Sequence, residues 1–443
     1  MGLNALEQNL IHKGILPSLS GLLQTDTVCF LVGGAIRDAL LNRRSNDFDF
    51  ATFADPTELA QAFAAELGGS WFMLDTQRRQ SRVVVGQGTD RFSCDFSPFR
   101  ADSLEGDLQR RDYTINAMAM ALQPSNCLGP LYDPLGGQQD LQRSRLRCCS
   151  AQVLFDDPLR VLKGLRHSIY LQLTIEPNTL VSMRHAAPSL DRVAPERIRN
   201  ELAAMLAVSP ARRGLLWLQE LKLLELLFGT AAKPGITGVG LARLDRAEAW
   251  LDFLFKADET GFLAEFFSQE LEQGFTRAVS FKLAAWFSGQ KFGDVRFILQ
   301  KLHCSRAVQR AIDGLLDLEQ RQADELLQLP SGSRSRALWA EGLGSHPHLA
   351  ACFLVLLLNV PFAEAARLLL PVLDDLDRFR VKGKVPDLLT GRWLQKALQL
   401  RGPAVGRCLA ALRREEIAGR VLNRQQAEEF VLSRWQKTTK KND

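Results

Sequence analysis

Asp47 and Asp49 stand two residues apart in the stretch NDFDFAT, each followed by a phenylalanine. In an extended chain side chains alternate faces, so the carboxylates share one face and Phe48 and Phe50 the other. Aspartate is disfavoured in strands, and two like charges on one face repel. A divalent cation relieves that repulsion. Hard Mg²⁺ takes carboxylate and phosphate oxygens and is commonly held by one or two carboxylates plus substrate phosphates. A solvated strand end is the other reading of this pair. Asp95, in RFSCDFSPF, offers a third carboxylate from a second β-rich run. Three carboxylates on adjacent strands suit two-metal phosphoryl or nucleotidyl transfer, although pairing with an arginine such as Arg91 would serve Asp95 equally well.

Gly33-Gly34 closes the apolar run VCFLV, and a helical pattern opens at about Ala35. Glycines there let backbone N–H groups approach a ligand, and a helix N-terminus favours anions. A tight turn explains the pair as well, and without a following Gly-Lys-Ser/Thr this is not a Walker loop. LEGDLQRRDYTINAMAM sets Arg110, Arg111, Asp112 and Asn116 at the start of what reads as an apolar helix. Arginine suits triphosphate oxygens, and Asp and Asn suit ribose hydroxyls; an ordinary charged helix face has the same composition. In FDDPLRVLKGLRH, Pro158 suits a first helical position, which makes Asp157 an N-cap with Arg160 on the same face. The pattern reads as a capped helix with an internal ion pair, or as an acceptor and a donor presented to a base edge. Arginine donates to O2 and N3 of cytosine, and a carboxylate accepts from an exocyclic amine.

The elements that must carry these groups change in kind along the chain. From about residue 26 to 150, β-rich runs (VCFLV, DFDFAT, SWFML, SRVVVG, FSCDF) alternate with helical patterns. One of these, DPTELAQAFAAELGG, has Asp55 as cap, Pro56 in the first turn and terminal glycines. After about residue 155 the β signal disappears, and Leu, Ala, Arg and Glu recur with helical spacing. Strands first and helices afterwards imply an α/β head followed by an all-helical body. No fixed-period repeat supports a solenoid.

The 443 residues exceed one core, so two to four domains are expected. A hydrophobic fraction of 46% with 24% charged residues is ordinary for a globular protein. The net charge of +5 permits a nucleic-acid partner without requiring one. Eight cysteines form no CxxC pair, which argues against zinc and disulfides and fits a reducing cytoplasm. The N-terminus reads as neither a signal peptide nor a myristoylation site. LAACFLVLLLNVPF, Leu349 to Phe362, is too short to span a bilayer and reads as a buried helix. The terminal SRWQKTTKKND reads as a frayed basic tail able to meet a polyanion.

LVGGAIRD…NDFDFAT, DLQRRDYTINAMA, YDPLGGQQDLQRSRLR, FDDPLRVLKGLRH and RVAPERIRNEL follow one another in an order that resembles class II tRNA nucleotidyltransferases and bacterial poly(A) polymerases. The likeness runs from about residue 26 to 430, since LLTGRWLQKALQLRGPAVGRCLAAL is similar to the family's C-terminal helical region. It implies a polymerase-β-like α/β nucleotidyltransferase head followed by all-α neck, body and tail. The boundaries fall at 1–145 for the head, 146–208 for the neck, 209–330 for the body and 331–443 for a tRNA-binding tail. It implies template-free addition of CTP or ATP to the 3′ end of tRNA with two Mg²⁺ ions. Asp47 and Asp49 would carry the metal, with Asp95 as a further catalytic carboxylate. Gly33, Gly34 and Arg37 would contact the nucleotide, and Arg110, Arg111, Asp112 and Asn116 would hold triphosphate and ribose. Asp157 and Arg160 would read the base, with Lys163 and Arg166 in support, and Glu196 and Arg197 would brace the neck.

Three positions depart from the family pattern. Asp156 replaces the usual Glu, Lys163 a common Arg, which weakens planar or bidentate contacts, and His167 a usual Phe. None removes a catalytic carboxylate. Between CDFSPF and DLQRRDYT the chain has only RADSLEG, where complete CCA-adding relatives carry a longer charged loop that helps the pocket switch from CTP to ATP. The short link resembles enzymes that add two cytidines and leave the final A to a separate A-adding enzyme. CC addition with CTP is therefore the expected activity. The alternatives are full CCA addition, A addition with ATP, polyadenylation, and a non-catalytic RNA-binding protein on a retired head.

Overall fold

The computed structural model describes residues 2–23, 28–229, 238–320, 329–344, 346–358, 360–380 and 388–435. The chain divides into two units, residues 1–208 with 213–227, and residues 209–212 with 228–443.

The first unit is built on a seven-stranded sheet: β1 Cys29–Val32, β2 Asp47–Thr52, β3 Ser70–Asp75, β4 Gln80–Val85, β5 Phe92–Pro98, β6 Ala119–Gln123 and β7 Cys127–Leu128. The spatial order is β3-β4-β5-β2-β1-β6-β7. Only β2 and β5 run parallel, and they set Asp49 directly opposite Asp95. Along β2 the burial alternates as the DFDF pattern requires: Phe48 and Phe50 are buried while Asp47 and Asp49 face outward. Phe50 stacks on Phe96 at 5.3 Å, and Phe63 from helix Thr57–Glu66 meets Phe96 edge-on at 5.5 Å. These rings lock the strand that bears the carboxylates.

Four local expectations are corrected. The apolar AMAM segment leads into strand β6, not into a helix, because Ala119 onward pairs with β1 on one side and β7 on the other. Only helix Leu104–Gln109 and a single 3₁₀ turn, Thr114–Asn116, precede it. Asp55 lies one residue ahead of the N-cap, Pro56, of helix Thr57–Glu66, yet its Oδ1 still accepts from the Thr57 amide and hydroxyl. Asp157 is not an N-cap either: it ends helix Gln152–Asp156, and no side chain caps the next helix, Leu159–Tyr170. The β signal does not vanish entirely after residue 155. Arg145–Leu146 pairs with Thr174–Ile175, and Glu270–Glu272 with Phe275–Thr276.

Helix Leu159–Tyr170 packs against helix Pro195–Ala207 and against Tyr113, which is fully buried. Gly164 makes that approach possible, since a Cβ there would collide with the Tyr113 hydroxyl and the Met183 methyl. The same hydroxyl donates to the Arg160 carbonyl at 2.6 Å. Gly164→Ala should therefore destabilise the protein by about 1–3 kcal/mol, as overpacking does. It should also weaken nucleotide binding by shifting Arg160. A melting curve like that of the parent protein would show that the helix slides freely.

Among the described residues, the second unit is helical apart from its small hairpin. LAACFLVLLLNVPF forms the buried helix Pro347–Leu357, as its composition suggests. A separate apolar cluster around Leu394, Cys408, Leu412 and Val431 holds the last three helices together. All eight cysteines are free. Among the described residues no helix is long and apolar enough to cross a membrane. The basic end of the tail, from residue 436, lies outside the described residues.

Candidate active site

A cavity of about 340 Å³ opens on the outward face of β2 and β5. It gathers Gly33, Gly34, Asp49, Asp95, Arg111, Asp112, Asn116, Asp157, Arg160 and Lys163 from five separate stretches of sequence. Asp47 stands exposed two residues before Asp49 on the same strand face, and the Ser93 hydroxyl donates to its Oδ1. Arg37 is buried and donates to the Asn116 side-chain oxygen at 2.7 Å. Arg110 belongs to a neighbouring cavity, and Arg166 pairs with Glu201 at 2.8 Å, linking helices Leu159–Tyr170 and Pro195–Ala207.

Gly33 has φ +81°, a conformation that side chains other than glycine's rarely adopt. A Cβ there would also stand 2.9 Å from Asp49 Oδ2. The backbone thus passes close beside the carboxylate. Arg111 is held by buried Asp107 through Nε at 3.0 Å and Nη2 at 2.9 Å, which fixes its guanidinium beneath the cavity. The turn that carries Asp112 and Asn116 is anchored by Thr114, whose hydroxyl donates at 2.7 Å to fully buried Asp140. Arg145 and Arg147 complete the pairing of that carboxylate.

Asp49 carries the clearest electrostatic signature. Loss of water from its carboxyl pushes its pKa up to about 6; Arg111 and Arg100 oppose the rise, while Asp95 and Asp47 add to it. Burial alone would also raise Asp112, but Lys163, His167 and hydrogen bonds from Asn116 and the Tyr113 amide hold it well below the usual carboxylate range. Asp95 does pair with an arginine, but with Arg82 rather than Arg91. Both of its oxygens are engaged, at 2.6 Å and 2.7 Å, because β4 places Arg82 directly opposite it.

Asp157 and Arg160 do not pair with each other. Asp157 Oδ2 accepts from Arg197 at 3.0 Å, while Arg160 Nη1 donates to the carbonyls of Arg110 at 3.0 Å and Val153 at 3.2 Å. Separate anchoring leaves the remaining carboxylate and guanidinium valences facing one cavity. Arg78, Arg100 and the contribution of Arg197 to the lining were not singled out from the sequence, nor was Arg82 as the partner of Asp95. Arg82 was recoverable from strand pairing, whereas Arg78 and Arg100 lie on loops that only the sheet order brings together.

A metal fits the donor set. Asp47 and Asp49 offer hard oxygens on one face, and Asp49, whose pKa is raised chiefly by lost water with smaller contributions from Asp95 and Asp47, is a carboxylate whose charged form a cation would favour. The described residues contain no group of three or more His, Cys, Asp or Glu side chains arranged to hold a metal. Two protein carboxylates supplemented by phosphate and water oxygens is the way Mg²⁺ is usually held.

Residues 29–147 match the family model described as the poly A polymerase head domain. Residues 172–236 match the one described as "Probable RNA and SrmB- binding site of polymerase A". The CC-adding tRNA nucleotidyltransferase of Geobacter sulfurreducens is 34% identical over 419 residues, covering 91% of each chain. The chain belongs to the class II tRNA nucleotidyltransferase family. The A-adding tRNA nucleotidyltransferase of Deinococcus radiodurans is 41% identical over 230 residues, 51% of this chain and 50% of that one. Among solved structures, the Thermotoga maritima CCA-adding enzyme complexed with tRNA is 20% identical, with a TM-score of 0.60 over 97% of this chain and 98% of that one. This nucleotidyltransferase thus has the polymerase-β-like head and helical remainder that its motif order implies.

Proposed function

We propose that the chain adds cytidines to the 3′ end of tRNA without a template, using CTP and releasing pyrophosphate, and stops before the final A. The observation that carries the transferase reading is the convergence of Asp49, Arg111, Asn116, Asp157 and Arg160 on one cavity. Asp47 and Asp49 would hold the divalent cation, and their hard oxygens favour Mg²⁺. Bound there, it would supply charge neutralisation for the attacking 3′-hydroxyl and the departing pyrophosphate. Arg111, backed by Asp107, and the Gly33–Gly34 backbone take the triphosphate. Asp112 and Asn116 orient the ribose, and Asp157 and Arg160 face the base. Arg37 holds Asn116 in place. Asp95, saturated by Arg82, sets the charge beside Asp49. The head comprises 1–145, the neck 146–208, the body 209–330 and the tail 331–443, the last taking the tRNA.

The stop before A is supported by the five residues 99–103, which alone link β5 to helix Leu104–Gln109. It is also supported by the Geobacter relative and by one from Thermus thermophilus, 30% identical over 91% of this chain, both named CC-adding. A separate A-adding enzyme would complete the end. CTP and ATP offered singly to tRNAs lacking CCA, lacking CA and lacking only A test both levels. Cytidine addition to the first two and none to the third is the expected result. Addition of the last A overturns the stop, and failure on all three overturns the transferase reading.

A further inference from the structure

Beside the nucleotide cavity lies a second one of about 630 Å³, with Arg78, Gln80, Arg100, Asp157 and Arg160 shared between the two. Its rim carries Phe53, 69% exposed on the loop after β2, held edge-on against Phe99 at 6.2 Å. Phe99 in turn packs on Phe30 at 5.9 Å, so the exposed ring stands on a fixed base. Arg78 and Arg79 reach the same rim from the β3–β4 turn, with Arg100 and Arg110 behind them. Of the carboxylates present, Asp157 is bound to Arg197 and Asp156 accepts from Gln152, while Asp55 pairs with Arg79 at 3.4 Å, an exposed contact that a phosphate would compete for. Arg78 is 71% exposed and only loosely paired with Asp75 at 3.7 Å. Lost water, with Arg111 and Arg160 beside it, depresses the pKa of Arg100 against the opposing pull of Asp107 and Asp112.

An exposed, rigidly backed aromatic ring among arginines is the arrangement that binds single-stranded nucleic acid, base on ring and phosphate on guanidinium. We propose that this second cavity holds the terminal single-stranded nucleotides of the RNA primer, one base stacked on Phe53 and the backbone on Arg78 and Arg79. The inference rests on the transferase reading of the adjoining cavity. Position and chemistry agree: the base-facing pair Asp157 and Arg160 forms the shared wall, so the RNA end and the incoming base would meet there.

The test is binding of a hairpin RNA with a single-stranded 3′ tail, measured by fluorescence titration without nucleotide, together with KM for CTP and for that RNA. Phe53→Ala should weaken RNA binding about tenfold, the size of one lost base stack. KM for CTP should stay unchanged, and Phe53→Trp should restore the affinity. Arg78→Gln with Arg79→Gln should lower the salt dependence of binding by more than one unit in the log–log slope. Phe53 is exposed, and an unchanged melting temperature shows that the variant is folded. Equal RNA affinity of Phe53→Ala and parent overturns the proposal, as does a raised KM for CTP with RNA binding intact. Binding is read without catalysis, so an inactive parent protein would count against the transferase reading alone.

Discussion

Asp49→Asn should abolish nucleotide incorporation while making the metal-free protein more heat-stable above pH 6. The loss follows from the position of Asp49, on the free face of β2, beside Gly33 and Arg111, with hard oxygens aimed where a cation and a triphosphate would meet. A metal at such a site contributes several kcal/mol of charge stabilisation in the transition state, so kcat should fall by about 10³-fold or more. The gain in stability follows from linkage. The folded-state pKa of about 6 lies above the ordinary 3.8, because lost water and the Asp95 and Asp47 charges disfavour the anion more than Arg111 and Arg100 favour it. A raised pKa means that the carboxyl's contribution to stability is complete below 3.8 and is lost as pH rises through 6. Asparagine carries no such penalty. The melting temperature of Asp49→Asn should exceed that of the parent at pH 7–8 without divalent cation, and the gap should close toward pH 4. Added Mg²⁺ should raise the parent's melting temperature more than the variant's, because binding stabilises only the chain that binds. A variant that melts lower at pH 8 and still incorporates nucleotide would overturn both the metal reading and the electrostatic one.

The contrast between β2 and the Asp157 segment shows what a sequence can disclose. DFDF specifies its own strand, faces and anchors, because alternation with a period of two is a local property. Strand β6 was misread as a helix because a central strand buried on both faces is uniformly apolar, and AMAM has the composition of a buried helix. Asp157 was misread as a cap because Asp-Pro is a real helix-start signal, whereas the competing demand comes from Arg197, forty residues on. Asp95 was assigned the wrong arginine for the same reason, since its partner is set by the pairing of β4 with β5 and not by proximity in the chain. The residues able to bear charge were legible from their types. Their partners were not, because partners are chosen by tertiary contacts. The second cavity was the least legible, since Phe53, Arg78 and Arg100 belong to three loops with no motif in common.

Arg197→Met should collapse the discrimination of CTP over UTP about tenfold or more while leaving KM for the tRNA unchanged. Arg197 holds one oxygen of Asp157 at 3.0 Å, and the Asp157 side chain is only 18% exposed, so the pair fixes where the second oxygen points. Cytosine presents a 4-amino donor beside the N3 acceptor, the complement of a carboxylate next to a guanidinium. Uracil places an oxygen where that amine would be, so a fixed carboxylate repels it. A site built to hydrogen-bond an amine rejects the analogue lacking it by large factors, and that rejection depends on the carboxylate staying put. Asp157→Asn should go further and admit UTP outright, since an amide can donate to the uracil oxygen. Arg197→Lys should recover part of the selectivity, because it restores the charge without the fork. If Arg197 served the fold alone, its loss would lower the melting temperature and leave the CTP to UTP ratio as it was. Adenine also sets an exocyclic amine beside a ring nitrogen acceptor, so the same two side chains suit ATP as well as CTP. If Asp157 and Arg160 read the base as proposed, they would exclude U and G on their own, and the choice between C and A would fall to the chain that frames the pocket, including the short 99–103 link.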